Sequence, residues 1–286
     1  MSYRQRETGV YAQDSISFGP VWKLIAGGRQ TTVERVATGA AEFSWSRDVF
    51  TPNVAVLFKP RPNVSTYVSF AEGLEQGDPA PLGTSNQNQL LDPLATRQIE
   101  TGLKWDINPE LNVQSALFRI EKPLECVDAA NTWTQNGKQV HTGIEINAAG
   151  RITPALTVFG GITLLGSEQQ STGDPARDGK QKANVAKRRA SVFVEYAPLG
   201  TGLALNGRWQ YVSSRPAVDD NSVSVDGYHV FGAGARYAAT IARTAVTFGL
   251  SIDNLFGKNY WKDVGGGYLH LGVPRTWTAT VQTNWQ

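Results

Sequence analysis

The residues that could do chemistry are few and scattered. His141, His229 and His270 are the three histidines, and none has a metal-ligating partner at a fixed short spacing. They read as polar residues of strand ends or of a watery interior. One cysteine, Cys126, excludes an internal disulfide framework and a Cys-based zinc site. Neither a Gly-x-Ser-x-Gly nucleophile elbow nor a phosphate-binding P-loop occurs. The Gly-x-Gly at Phe231-Gly232-Ala233-Gly234-Ala235 sits in a strand-like stretch with no helix after it, which a nucleotide cradle requires. Gly265-Gly266-Gly267 reads as a loop tip, and Asp219-Asp220 as solvated loop carboxylates. No enzyme is expected, and no cofactor.

The elements that must position any functional residue follow a period of two. From 244 to 254, Val246, Phe248, Leu250 and Ile252 fall on one face, opposite Thr247, Gly249, Ser251 and Asp253. From 276 to 285, Trp277, Ala279, Val281 and Trp285 oppose Thr276, Thr278, Thr280, Gln282 and Asn284. Leu203, Leu205, Trp209 and Tyr211 oppose Ala204, Asn206, Arg208 and Gln210. Ile99, Leu103 and Trp105 oppose Gln98, Glu100, Lys104 and Asp106, and Ile144 and Ile146 oppose Glu145 and Asn147. About thirteen strands are predicted, near 8–18, 21–34, 45–58, 63–73, 97–107, 111–122, 139–149, 155–166, 185–197, 202–214, 227–238, 244–257 and 268–285. Their connections alternate between short turns (19–20, 59–63, 108–110, 150–154, 198–201, 239–243) and longer loops (74–96, 123–138, 167–183, 215–226, 262–267).

Bulk composition conceals this split. The chain has 286 residues, 41% hydrophobic and 18% charged, and a net charge of +2, which leaves no footprint for nucleic acid. Mean hydropathy is −0.29, and no run approaches the roughly 18 apolar residues of a spanning helix. With 8 Trp, 9 Tyr and 11 Phe there is ample material to bury, so disorder is not expected. Persistent polar alternation, aromatics near strand ends (Trp105, Tyr196, Trp209, Tyr211, Tyr237, Trp285) and alternating loop lengths point to an all-β, antiparallel transmembrane β-barrel. A soluble β-sandwich binding module, such as a lectin, is the competing architecture.

The most specific motif is Asp253-Asn254-Leu255-Phe256-Gly257-Lys258-Asn259-Tyr260-Trp261. It resembles the Asn-Leu-Phe-x-Lys-x-Tyr signature of TonB-dependent outer-membrane receptors, with Asn254, Leu255, Phe256, Lys258 and Tyr260 on the signature positions. Thr8 to Asp14, Phe50 to Val54, Tyr67 to Gly73, Ala116 to Lys122, His141 to Glu145, Asn184 to Ser191 and Val273 to Thr276 resemble further motifs of the siderophore-receptor branch, in family order. The resemblance covers essentially the whole chain, 1–286, as one barrel segment. It implies about 13 strands of an incomplete 22-stranded barrel. Thirteen strands would start the chain on the outer side. Together with the absence of a signal peptide after Met1, that suggests a truncated frame, a late start or a fragment.

The resemblance implies a ferric siderophore as transported ligand, outer-membrane lipid and lipopolysaccharide as surroundings, and a plug domain and TonB as partners in an intact receptor. No plug domain or TonB box is found in the chain, which leaves a non-transporting remnant or a split-gene piece as alternatives. Cys126 lacks the second cysteine of the family's loop staple, and Trp285 stands one short of the usual terminal aromatic. Candidate ligand contacts at outer loops and strand ends are Trp133, His141, Tyr260, Trp261 and Tyr268, whose rings can pack on a bulky chelate. Lys187-Arg188-Arg189 reads as a solvated strand start that could also attract lipopolysaccharide or an anionic ferric siderophore. Glu100, Lys104, Glu145, Glu195, Arg208 and Arg236 fall on the lumen-facing registers, with a structural role.

Overall fold

A computed structural model describes residues 2–38, 43–265 and 268–284. It consists of β1 (Ser2–Phe18), β2 (Trp22–Thr38), β3 (Phe43–Arg61), β4 (Val64–Glu75), β5 (Leu94–Asn108), β6 (Leu111–Val127), β7 (Trp133–Thr153), β8 (Leu156–Gln170), β9 (Arg188–Tyr196), β10 (Leu203–Val212), β11 (Arg215–Pro216), β12 (Ser224–Val225), β13 (Tyr228–Ile241), β14 (Thr244–Asp253), β15 (Trp261–Gly265), β16 (Tyr268–Leu271) and β17 (Thr276–Asn284). Thirteen of them form one sheet in chain order, while β11–β12 and β15–β16 are small separate pairs. Sequential pairing in one sheet is not the two packed sheets of a sandwich. Among the described residues no helix is long and apolar enough to cross a membrane.

The thirteen expected strands match the thirteen of the sheet, with corrected ends. The first begins at Ser2 rather than 8, and the ninth at Arg188 rather than 185. Most of the loop expected at 123–138 is strand, because Val127 and Trp133 already belong to β6 and β7. The twelfth stops at Asp253, where Asn254 takes φ 49° and turns the chain. The last begins at Thr276; residues 268–271 belong instead to the β15–β16 hairpin. Trp285, Gly266 and Gly267 lie outside the described residues.

Two compact units can be described separately: Met1–Leu103 with Ala116–Thr142 and Gly166–Lys180, and Lys104–Ser115 with Gly143–Leu165 and Gln181–Gln286. In the first, register sets Trp22 against Phe18 and Phe58, Leu24 against Ile16 and Val56, and Val56 against Val68. Side chains directly opposite share a face, so these make one apolar surface, interrupted only partway along β1 by the exposed Asp14 opposite Ala26. It ends at Val10, Gln30 and Phe50, beyond which the same face carries Thr32 and Asp48, then Arg6 and Glu34. From Phe18 to Val10 the strand rises about 26 Å, close to the roughly 25 Å apolar band of an outer-membrane strand set. Gly28 lies on this face where a Cβ would strike the Phe50 ring, so its bare backbone is what admits the ring.

In the second unit the rows are equally regular. Val158, Val194, Gly207, Ala233, Ile252 and Trp277 are cross-strand neighbours, as are Leu156, Tyr196, Leu205, Ala235, Leu250 and Ala279. Between them runs Thr157, Glu195, Asn206, Gly234, Ser251 and Thr278 on the opposite face. Much of these rows stays open, with Leu250 51% and Trp277 64% exposed, while Ile252 is covered at 6%. Water does not favour a continuous apolar surface of this kind, whereas lipid does. On the polar face Arg236 pairs with Glu195 at 2.6 Å, Arg208 with Asp253 at 2.9 Å, and Thr163 donates to Glu145 at 3.2 Å. The lumen-register assignment of these residues therefore has polar partners to match.

Candidate functional site

The polar face of the first unit builds a cavity of about 680 Å³. Its wall includes Glu7, Arg29, Arg35, Trp45, Glu75 and Gln76. β1, β2 and β3 deliver Glu7, Arg29, Arg35 and Trp45 because odd-numbered positions of all three point the same way, while Glu75 ends β4 and Gln76 follows it. Arg35 is the hub. Its Nε donates to Gln5 at 2.9 Å, Nη1 to the Gly77 carbonyl at 2.8 Å, and Nη2 to Gln76 Oε1 at 2.9 Å. Gln5 and Gln76 both donate onward to Glu7. Arg29 lies over Gly9, and its Nε donates to Thr31 Oγ1 at 3.1 Å. Arg47 pairs with Asp92 at 2.6 Å and sits 5.4 Å from the Trp45 ring centroid. Sequence reasoning missed this cluster. The available signal was the even spacing of Arg29 and Arg35, which places both on one face with Thr31 and Val33.

A loop clasp lies in the same unit. Trp133 N–H donates to Asn86 Oδ1 at 2.8 Å, and Asn86 Nδ2 donates to the Trp133 carbonyl at 3.0 Å. Asn131 Nδ2 donates to the Gly83 carbonyl at 2.7 Å, and Ser85 N–H to the Asn131 carbonyl at 2.8 Å. The Trp133 indole N–H is buried without a partner among the described residues. His141 lies further along β7, half-buried.

The other three candidates gather in the second unit. Tyr260 stacks obliquely on Tyr228 at 4.2 Å and packs against the core of Ala186, Val212 and Tyr228. Trp261 opens β15, 40% exposed, and its carbonyl accepts from Arg215 Nη2 at 3.1 Å. Tyr268 on β16 is 75% exposed. Of the five, then, Trp261 and Tyr268 present open rings, while Tyr260 is committed to packing. Among the described residues no group of three or more His, Cys, Asp and Glu could hold a metal ion.

The Asn254 motif is a turn lock. Asn254 is 3% exposed; its Oδ1 accepts from Lys258 N–H at 2.7 Å, and its Nδ2 donates to the carbonyls of Lys258 at 2.8 Å and Val273 at 3.0 Å. Leu255 N–H continues the sheet by donating to the Phe231 carbonyl, and Phe256 packs edge-on against Phe231 at 5.5 Å. Gly257 at φ 66° completes the reversal. Asparagine suits this place because its short amide tolerates positive φ and bonds its own loop.

The TonB dependent receptor-like β-barrel model matches residues 1–255. The chain belongs to this family. It is an outer-membrane β-barrel chain of a receptor family, not an enzyme. The ferrichrome receptor FcuA of Yersinia enterocolitica is 27% identical over 96% of this chain and 38% of its own length. The probable TonB-dependent siderophore receptor PiuA of Acinetobacter baumannii is 30% identical over 89% of this chain and 37% of its own. The crystal structure of BauA, the ferric preacinetobactin receptor of Acinetobacter baumannii, superposes with a TM-score of 0.90 at 30% identity, over 98% of this chain and 43% of that one. The chain thus spans about two fifths of the curated relatives it matches.

Proposed function

We propose that this chain forms part of the barrel wall of an outer-membrane receptor for ferric siderophores, working with a plug domain and TonB when the receptor is whole. All 286 residues serve that one barrel. The observation that carries the reading is the sheet's two solvents, an open apolar face and a charged inner face lined by Arg29, Arg35 and Glu7. The names of FcuA, PiuA and BauA support ferric chelates as the ligand class. Trp133 and His141 in the first unit, and Trp261 and Tyr268 in the second, are the proposed ligand contacts, and Tyr260 supports the second pair by packing on Tyr228. No covalent step and no resident cofactor are involved; the iron chelate is cargo.

Lipid and lipopolysaccharide are the proposed surroundings of the apolar face. Trp209, Tyr211 and His229 stack there, with Tyr211 and His229 at 4.5 Å and the Trp209 indole N–H donating to His229 Nδ1 at 3.2 Å. Such amphipathic rings suit the boundary between headgroups and hydrocarbon. Lys187 and Arg188 lie exposed at the start of β9.

The test is ligand binding by the chain refolded in detergent. Ferric catecholate and ferric hydroxamate chelates are titrated against tryptophan emission. Quenching that saturates with iron-loaded but not iron-free chelate is expected. A flat response to both classes from heat-modifiable, folded protein would sink the proposal.

A further inference from the structure

The second unit contains a cavity of about 390 Å³ whose charges do not balance. Among the described residues its wall carries three cations, Arg189, Arg215 and Lys262, against one carboxylate, Asp263. Arg215 is only 2% exposed. Its Nε donates to Asn184 Oδ1 at 3.0 Å, and its Nη2 to the carbonyls of Trp261 and Lys262 at 3.1 and 2.8 Å. Its Nη1 is buried without a partner among the described residues. The Asp263 carboxylate accepts a hydrogen bond from Asn184. Burial pushes the Arg215 pKa down and Arg189 adds to that push, while Tyr228 and Asp263 oppose it. A buried cation short of countercharge and of one acceptor is costly, and an added anion relieves both deficits.

The remaining wall supplies neutral hydrogen-bonding groups, among them Thr163, Ser191 and Gln210. They project from the polar face of β8, β9 and β10, so the cavity faces away from the apolar rows. The Arg189 and Lys262 side chains are exposed, whereas Arg215 is held by its bonds to loop carbonyls. The volume falls in the roughly 300–1,000 Å³ range of small-molecule sites.

We infer that this cavity binds the carboxylate or phosphate group of a small anionic ligand, held by Arg189 and Lys262 above the fixed charge of Arg215. Guanidinium matches the planar fork of a carboxylate or two oxygens of a phosphate, and the ammonium adds a point charge. The identity of the ligand as an anionic ferric chelate rests on the receptor reading above; its charge does not.

The experiment titrates the full chain, refolded in detergent, with citrate, ferric citrate and inorganic phosphate by calorimetry. A cationic ferric trihydroxamate serves as the comparison. Saturable binding of at least one oxyanion is expected, weakening as salt rises. The double substitution Arg189→Gln with Lys262→Gln should weaken it about tenfold or more, with heat-modifiable migration unchanged. Arg215→Lys, which keeps the charge beneath the floor, should retain more affinity than Arg215→Met. Folded protein that binds neither citrate nor phosphate at about 10 mM, where Kd would exceed any useful affinity, overturns the inference. So does a double variant that binds like the parent chain. If citrate binds and no ferric chelate does, the receptor reading fails and the anion site stands. If ferric citrate and citrate both bind the double variant undiminished, the anion site fails and the receptor reading stands.

Discussion

At the scale of single residues, a motif's chemistry and its position in a family are different kinds of information. Asn254, Leu255, Phe256, Lys258 and Tyr260 stood out by resemblance, yet Asn254 spends its whole amide on the backbone of its own loop. Asn254→Ala removes three hydrogen bonds from a buried group at φ 49°. It should cost about 1–3 kcal/mol, read as a lowered midpoint in urea. Asn254→Gly keeps the backbone freedom and loses the bonds, so it should fall between the two. Equal midpoints for all three chains would remove the turn-lock account. Arg215, by contrast, was illegible in sequence. Its burial depends on loop carbonyls some 46 residues downstream, and no spacing rule reports such a meeting.

At the scale of elements, strands were legible because inner and outer solvents impose a period of two on every one of them. Loop structure was less so. Alternation holds from 276 on, and the expected single strand 268–285 runs over a break that Gly272, Pro274 and the row-breaking Arg275 do mark. The turn joining β13 to β14 offers a direct test. Ala242 and Arg243 occupy φ 48° and 69°, the two positive angles of a tight hairpin reversal. A side chain there costs roughly 1–2 kcal/mol per residue, which Asn and Gly avoid. The pair Ala242→Asn with Arg243→Gly should therefore raise unfolding stability by about 1 kcal/mol or more. An unchanged or lower urea midpoint would count against this geometry.

The loop 171–187 supplies a pH test at the same scale. Thr172 N–H donates to Asp178 Oδ1 at 2.8 Å. That bond, with the Thr172 side chain, lowers the Asp178 carboxyl below its ordinary 3.8. The folded loop therefore prefers the ionised form. Its stabilising effect is complete above the unfolded pKa and is lost as pH falls through the depressed folded value. Hydrogen exchange at Thr172 should quicken as pH falls below 3.8, beyond the intrinsic pH dependence. Asp178→Asn should abolish that extra step; its persistence would assign the effect to another group.

At the scale of the molecule, the decisive feature is that the exposed apolar side is the expected outside. In water a chain hides such rows; here Leu250 and Trp277 remain open while ion pairs such as Arg236–Glu195 occupy the other face. The strand count was readable from alternation, but the inner cavities were not, since they form only where several strands bring alternate residues together. Two substitutions on neighbouring strands separate the faces. Leu250 lies between Ala235 and Ala279 in the apolar row, and Thr278 lies beside Ser251 in the polar one. Leu250→Arg places a charge in hydrocarbon and should cost about 2–4 kcal/mol near the bilayer midplane. Thr278→Arg places the same charge in the watery interior and should cost well under half as much. Folding titrations in lipid vesicles read both. Equal penalties would mean that both faces meet the same solvent, and neither the membrane assignment of the apolar rows nor the inner placement of Arg35 and Arg215 would then hold.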